Sequence, residues 1–268
     1  MSIPVRQNYY PIDSDTRSLI STRYRTITKA VNGDFWNSNS ETDHSRYVGS
    51  YGRGTAINTS DLDVLIELPQ CEYDHFNGLT SNGPSRLLQA VKQAILDTYP
   101  RTDIRGDGQV VVVQFSDGMK FEILPAFKHF DYAGNWDRTY TYPDTHMGGN
   151  WLSTNPLVEQ ETMKDKNGVD ESNGLLFDTC KHIRYVKSQH FSSYHLSGIL
   201  IDSFVFKEIG HWHWLRKGEE SGSNIQTFEQ SLLDRYNSCS SYIFAPGSGM
   251  RVGIDDWEVL GKVLRIMV

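Results

Sequence analysis

At 268 residues the chain has room for one large domain or two small ones, with ample core. Its composition is that of an ordinary globular protein, with no collagenous, repetitive or broadly disordered stretch. A formal net charge of −7 argues against a protein that coats nucleic acid through a general basic surface, while leaving room for a local basic pocket.

The cysteines, Cys71, Cys180 and Cys239, are scattered and lack the CxxC spacing of a zinc or redox site, so they read as reduced thiols. The N-terminus MSIPVRQNYYPID has no apolar signal core, and no run approaches the roughly 18–20 apolar residues of a spanning helix. A cytoplasmic location and no membrane partner are expected.

In chain order, IDSDTRSLISTRYRTITKAV reads as an opening helix capped by Asp13 or Ser14, with Ile12, Leu19, Ile20, Ile27 and Val31 on one side. A short strand over 46–48 leads into a Gly/Ser loop. A better strand follows over 62–68, with Leu62, Val64, Ile66 and Leu68 facing one way and Asp61, Asp63, Leu65 and Glu67 the other. Pro84 starts a helix to about Thr98, and GQVVVVQFSDGMKFEILPAF is a hairpin turning at SDG. Beyond about Asn150 the character changes to helices, in NPLVEQETMKDKN, NGLLFDTCKHIRYVKSQ, SYHLSGILIDSFVFKEI, TFEQSLLDRYNS and DDWEVLGKVLRIMV. KGEESGSN reads as a mobile solvated loop. An α+β portion over 1–150 followed by a helical portion over 151–268 is therefore expected.

The chemistry concentrates in YVGSYGRGTAINTSDLDVLIELP. Asp61 and Asp63, two apart on a strand, project their carboxylates from one face, and such like charges call for a cation between them. Hard oxygen donors at this spacing suit Mg²⁺, which binds through one or two carboxylates and substrate phosphates. Upstream, Gly49, Gly52 and Gly54 permit tight turns whose N–H groups can cradle phosphate oxygens, and Ser50 and Thr55 add hydroxyls. A phosphate loop beside a two-carboxylate site is a phosphoryl- or nucleotidyl-transfer design. No GK[ST] follows at the spacing of a Walker A loop. Glu122, between Phe121 and Ile123 on the hairpin strand, is either a third carboxylate of the site or an outward, solvated residue.

GSYGRGTAINTSDLDVLIEL followed by FEILPAF resembles the nucleotidyltransferase superfamily with the DNA polymerase β palm. Within it the chain is most similar to the bacterial CD-NTases, relatives of cyclic GMP–AMP synthase and oligoadenylate synthase. NWLSTNP, IRYVK and SSYHLSGIL continue the likeness, in separated blocks from about Val48 to Phe206. The resemblance implies a palm with a mixed twisted sheet and flanking helices, packed on a C-terminal helical lobe that closes the nucleotide pocket. It implies that Gly49 and Ser50 hold the donor triphosphate and that Asp61 and Asp63 bind two Mg²⁺ ions, for which Mn²⁺ can substitute. Glu122 would hold the metal beside the attacking ribose hydroxyl. Three departures stand out: the family usually has Asp at the third carboxylate, the chain is compact for this group, and the interval from Lys187 to Ser193 is short.

In the helical half, Leu176, Cys180 and Ile183 form a stripe whose next position is Lys187, which faces either a cleft or, snorkelling, open water. Ser193, near the expected start of the next helix, either donates to phosphate or caps the helix. Arg184 reads as an exposed salt bridge, with phosphate pairing as the other option. By resemblance, Lys187 would contact nucleotide phosphates and Tyr194 would stack on a base. HWHW at 211–214 reads as structural and not as a metal site. Trp36, Trp136, Trp151, Trp212 and Trp257 read as core or cleft-lining.

The leading expectation is an Mg²⁺-dependent enzyme that condenses NTPs, ATP among them, into a cyclic di- or oligonucleotide read by a separate effector in anti-phage defence. Its alternatives are a linear oligoadenylate synthase or AMP transferase to RNA or protein, and a palm that senses nucleotides without turnover.

Overall fold

In a computed structural model, residues 2–58, 61–220, 226–239 and 242–268 are described. The chain divides into two compact units: Asp13–Gly52 with Asp61–Pro156, and Met1–Ile12 with Arg53–Ser60 and Leu157–Val268. The first is built on a sheet, the second on helices.

The sheet unit opens with α1 (Ser14–Trp36), started by Asp13, whose carboxylate accepts the Thr16 N–H at 2.8 Å. Its buried side carries Ile20, Tyr24, Ile27 and Val31, while Leu19 is exposed, off the expected stripe. Next come β1 (Ser45–Tyr47), a single turn α2 (Gly49–Gly52) and β2 (Leu62–Glu67). Helices α3 (Gln70–Asn77) and α4 (Gly83–Thr98) precede β3 (Asp103–Asp107), β4 (Val110–Gln114), β5 (Lys120–Phe130), β6 (Trp136–Asp144) and β7 (Asn150–Thr154). Strand order is β1-β2-β5-β4-β3, with β6 pairing the far half of β5 and β7 pairing β6. The pair β2–β5 is parallel and the other pairs are antiparallel, so the sheet is mixed.

Leu62, Val64, Leu65 and Ile66 of β2 are all buried, and Glu67 is too. The simple in/out alternation therefore gives way to a strand covered on both faces, as a strand with a parallel partner usually is. The SDG turn forms as the pattern requires, with the Phe115 N–H donating to Met119 C=O and Gly118 at φ +91°.

The helical unit holds α5 (Pro156–Lys166), α6 (Leu175–His190), α7 (Gly198–Glu208), α8 (Phe228–Ser238), a two-residue ladder β8 (Ile243–Phe244) with β9 (Arg251–Val252), and α9 (Trp257–Met267). Its core is apolar and continuous, with Leu176, Cys180, Ile183, Leu200, Phe204, Leu260 and Leu264 almost wholly buried. The N-terminal segment packs into it: Val5 is buried, and the Ile3 N–H donates to Ile266 C=O. Residues 221–225, which include the whole second half of KGEESGSN, lie outside the described residues. In HWHW, His213 is held between the His211 carbonyl and Glu219, each at 2.9 Å. The five tryptophans of the sequence reading are all partly buried.

Candidate active site

Gly49 sits at φ +56°, and a Cβ there would overlap the Asp63 carboxylate. The Gly/Ser turn thus lies directly against the second aspartate, an approach only glycine permits. Val48 N–H donates to Asp63 C=O and Gly52 N–H to Val48 C=O, both at 2.9 Å, which fixes the turn to β2. Ser50 is half-buried within it.

The parallel register sets Asp63 directly beside Glu122, and Leu62 beside Phe121. Neighbouring strands are about 4.8 Å apart, so these carboxyl-bearing residues share one patch of the sheet. Phe121 and Ile123 are fully buried on the opposite face, which commits Glu122 to the face of Asp63. The cation found here, Lys120, joins Asp61 to Glu122, whereas the sequence pattern called for one between Asp61 and Asp63. The Lys120 Nζ lies 2.7 Å from Asp61 Oδ2 and 2.9 Å from Glu122 Oε1, so those two oxygens converge on one atom. Burial pulls the Lys120 pKa down, but the hydrogen bonds and charges of Asp61 and Glu122 outweigh it and raise the pKa. The sequence carried the signal: Lys120 is two residues from Glu122 on a strand and must share its face.

Among the described residues, no three acidic, histidine or cysteine side chains are gathered closely enough to hold a metal ion. The ammonium nitrogen stands between two of the expected ligands instead. The donor set nevertheless fits a hard divalent cation: carboxylate oxygens of Asp61, just ahead of β2, and of Glu122 on β5 already close around a positive atom.

In the helical unit, Lys187 is half-buried near the end of α6 and makes no ion pair with the described residues. Ser193 is exposed, and α7 begins at Gly198, five residues later than Ser193, so that serine neither caps the helix nor stands at its N-terminus. The cause is local. Tyr194 N–H closes a turn onto Phe191 C=O, and Ser197 N–H donates to Asp256, which keeps the chain extended up to the helix. Tyr194 is 49% exposed, with the Lys262 ammonium 5.1 Å from its ring centroid.

Arg184 forms the expected salt bridge, but it is buried and not exposed. It donates to both oxygens of Asp202, at 2.7 and 3.0 Å, and to Gly198 C=O. Arg53 Nε and the Thr55 hydroxyl reach the same carboxylate, at 2.9 and 3.0 Å. Burial alone would raise the Asp202 pKa; Arg184 and Arg53 overcome it and hold the carboxyl below its usual range. Arg53 also meets Glu159 at 3.4 Å, a carboxyl whose pKa burial raises. This cluster anchors residues 53–55, which directly follow the Gly/Ser turn, and no periodicity in the sequence announces it.

Loop, carboxylate pair and mixed sheet define a nucleotidyltransferase palm in an α+β chain. The family of Second Messenger Oligonucleotide or Dinucleotide Synthetase domains matches residues 7–167, more than half of the sequence, and the chain belongs to it. Its fold is that of the bacterial CD-NTases. The Elizabethkingia meningoseptica CdnE cyclic dinucleotide synthase, solved with GTP and Apcpp, aligns at TM-score 0.61 and 13% identity over 98% of this chain and 93% of that one. The Rhodothermus marinus CdnE c-UMP-AMP synthase aligns at TM-score 0.60 and 13% identity over 96% and 95%. The Vibrio cholerae DncV cyclic AMP-GMP synthase aligns at 0.61 and 9% over 96% and 85%. Comparison with curated proteins gave no match. The chain is a nucleotidyltransferase.

Proposed function

We propose that the enzyme condenses nucleoside triphosphates, ATP among them, into a cyclic di- or oligonucleotide and releases pyrophosphate. The observation that carries this is the juxtaposition of the Gly49 turn with Asp63, and of Asp63 with Glu122 across the parallel strand pair. In each transfer the acceptor ribose hydroxyl forms a bond to the donor α-phosphorus as the bond to pyrophosphate breaks, and a final intramolecular transfer closes the ring.

Asp61, Asp63 and Glu122 would hold Mg²⁺, or Mn²⁺ in its place. When bound, such ions neutralise the triphosphate and lower the pKa of the attacking hydroxyl. Gly49 and Ser50 would position the donor phosphates. Lys187, without an ion pair among the described residues, would offset phosphate charge, Ser193 would donate a hydrogen bond, and the exposed Tyr194 ring would stack on a base. Among the described residues no helix is long and apolar enough to cross a membrane. The product would be released to a separate effector in the cytoplasm during anti-phage signalling.

Incubation with the four NTPs and Mg²⁺, phosphatase treatment and mass spectrometry test the reading. The expected product survives phosphatase with no mass change, because a ring has no terminal phosphate. Products that lose phosphate would make the enzyme a linear oligonucleotide synthase.

A further inference from the structure

Resting on that assignment of the carboxylates to a divalent ion, we propose that Lys120 is a resident counter-cation of the carboxylate cluster, which a divalent ion must displace in order to bridge Asp61 and Glu122. Its Nζ is within hydrogen-bond distance of one oxygen of each, at 2.7 and 2.9 Å. A Mg²⁺ ion contacts its oxygen ligands at about 2.0–2.1 Å and accepts only near-octahedral surroundings. An ammonium and a divalent ion cannot share the space between the same two oxygens. Lys120 starts β5, beside the SDG turn, and its side chain is a quarter exposed, so a four-carbon stem has solvent to swing into. In the ion-free chain the lysine relieves repulsion among carboxylates that the register forces together. Displaced on loading, it would remain a mobile positive group near the site, able to offset the negative charge of an incoming triphosphate. Lys120 is thus a positioning residue that sets the affinity for the ion.

The test measures Mn²⁺ binding without nucleotide, through loss of the free-ion electron paramagnetic resonance signal, together with thermal melting in chelator. The chains are wild type, Lys120→Met, Lys120→Arg and Asp63→Asn. Removing one positive charge next to a divalent ion is worth roughly a factor of ten in affinity in a solvent-accessible site. Lys120→Met should therefore bind Mn²⁺ about tenfold more tightly and melt at lower temperature than wild type in chelator, with the difference narrowing once Mn²⁺ is added. Lys120→Arg, which keeps the charge, should bind Mn²⁺ close to the wild-type level and shows that the position tolerates exchange. Equal or weaker Mn²⁺ binding by Lys120→Met, with Asp63→Asn impaired, overturns the role of Lys120 and leaves the metal assignment standing. Wild-type Mn²⁺ binding by Asp63→Asn removes the metal assignment and the proposal with it.

Discussion

Gly49 is the residue on which the turn depends most narrowly. A methyl group there meets the Asp63 carboxylate in a backbone conformation that already strains L-residues. Gly49→Ala should lower pyrophosphate release at least a hundredfold, by pushing Asp63 off the patch it shares with Glu122, and should cost about 1–2 kcal/mol of stability. Steady-state assay and urea titration check both. Tyr194 offers the opposite case. Its ring is half exposed, with its contacts to Lys262 and Phe191 at the surface, so Tyr194→Ala should leave the melting temperature nearly unchanged while raising KM for at least one NTP several-fold. An unchanged KM would remove Tyr194 from the site. Much at this scale was legible. The Gly-Ser turn, the two aspartates and Glu122 all stood out because charge inside an apolar strand needs a reason. Lys120 was equally visible in MKFEILPAF, yet a lysine at a strand end reads as solvated until its neighbours are known.

Among the elements, α6 shows how a helix can carry polar duties on a buried face. His182 Nε2–H donates to Ile3 C=O at 2.8 Å, which leaves Nδ1 of the neutral ring to accept from the Tyr10 hydroxyl at 2.9 Å. Burial depresses its pKa below the usual 6.5, against the pull of the Ile3 carbonyl. Between the depressed value and 6.5 the unfolded chain binds a proton that the folded chain refuses, so stability falls as pH drops through this window. Melting temperature should decline from about pH 7.5 to pH 5.5, and the decline should be shallower in His182→Gln. On α7, Asp202→Asn would leave two buried arginines short of a counter-charge. A loss of about 3 kcal/mol is expected from denaturant unfolding.

The elements that sequence reasoning missed share a cause. Strand β3, DIRGD, is exposed at all but Ile104, so no alternation marks it. Its place comes from its antiparallel pairing with β4. The ladder β6–β7 lies in a stretch rich in Asp, Asn, Thr and Gly, where turn residues mask the pattern. The start of α7 was placed too early because Ser192 and Ser193 look like caps ahead of an apolar run. The residue at the N-cap position is Ser197, whose hydroxyl makes no capping hydrogen bond, after a turn and an extended link stabilised by Asp256. Hydrogen bonds to residues about sixty positions away leave no local trace.

For the molecule as a whole, chelation separates folding from turnover. EDTA should abolish product formation while leaving the far-ultraviolet spectrum unchanged, since Lys120 already balances Asp61 and Glu122. Unfolding on chelation would mean that the ion is structural. The acidic balance of the chain adds that the negative substrate is admitted by local cations and not by an overall field.

The two units are interleaved along the chain, which passes from one to the other four times. No single cut in the gene therefore releases either of them whole. A fragment beginning at Leu157 would retain Asp202 and Arg184 but lack Arg53 and Thr55, and its His182 would face neither Ile3 nor Tyr10. Such a piece should fail to melt cooperatively, and recombination among related genes has to trade this chain as one indivisible block.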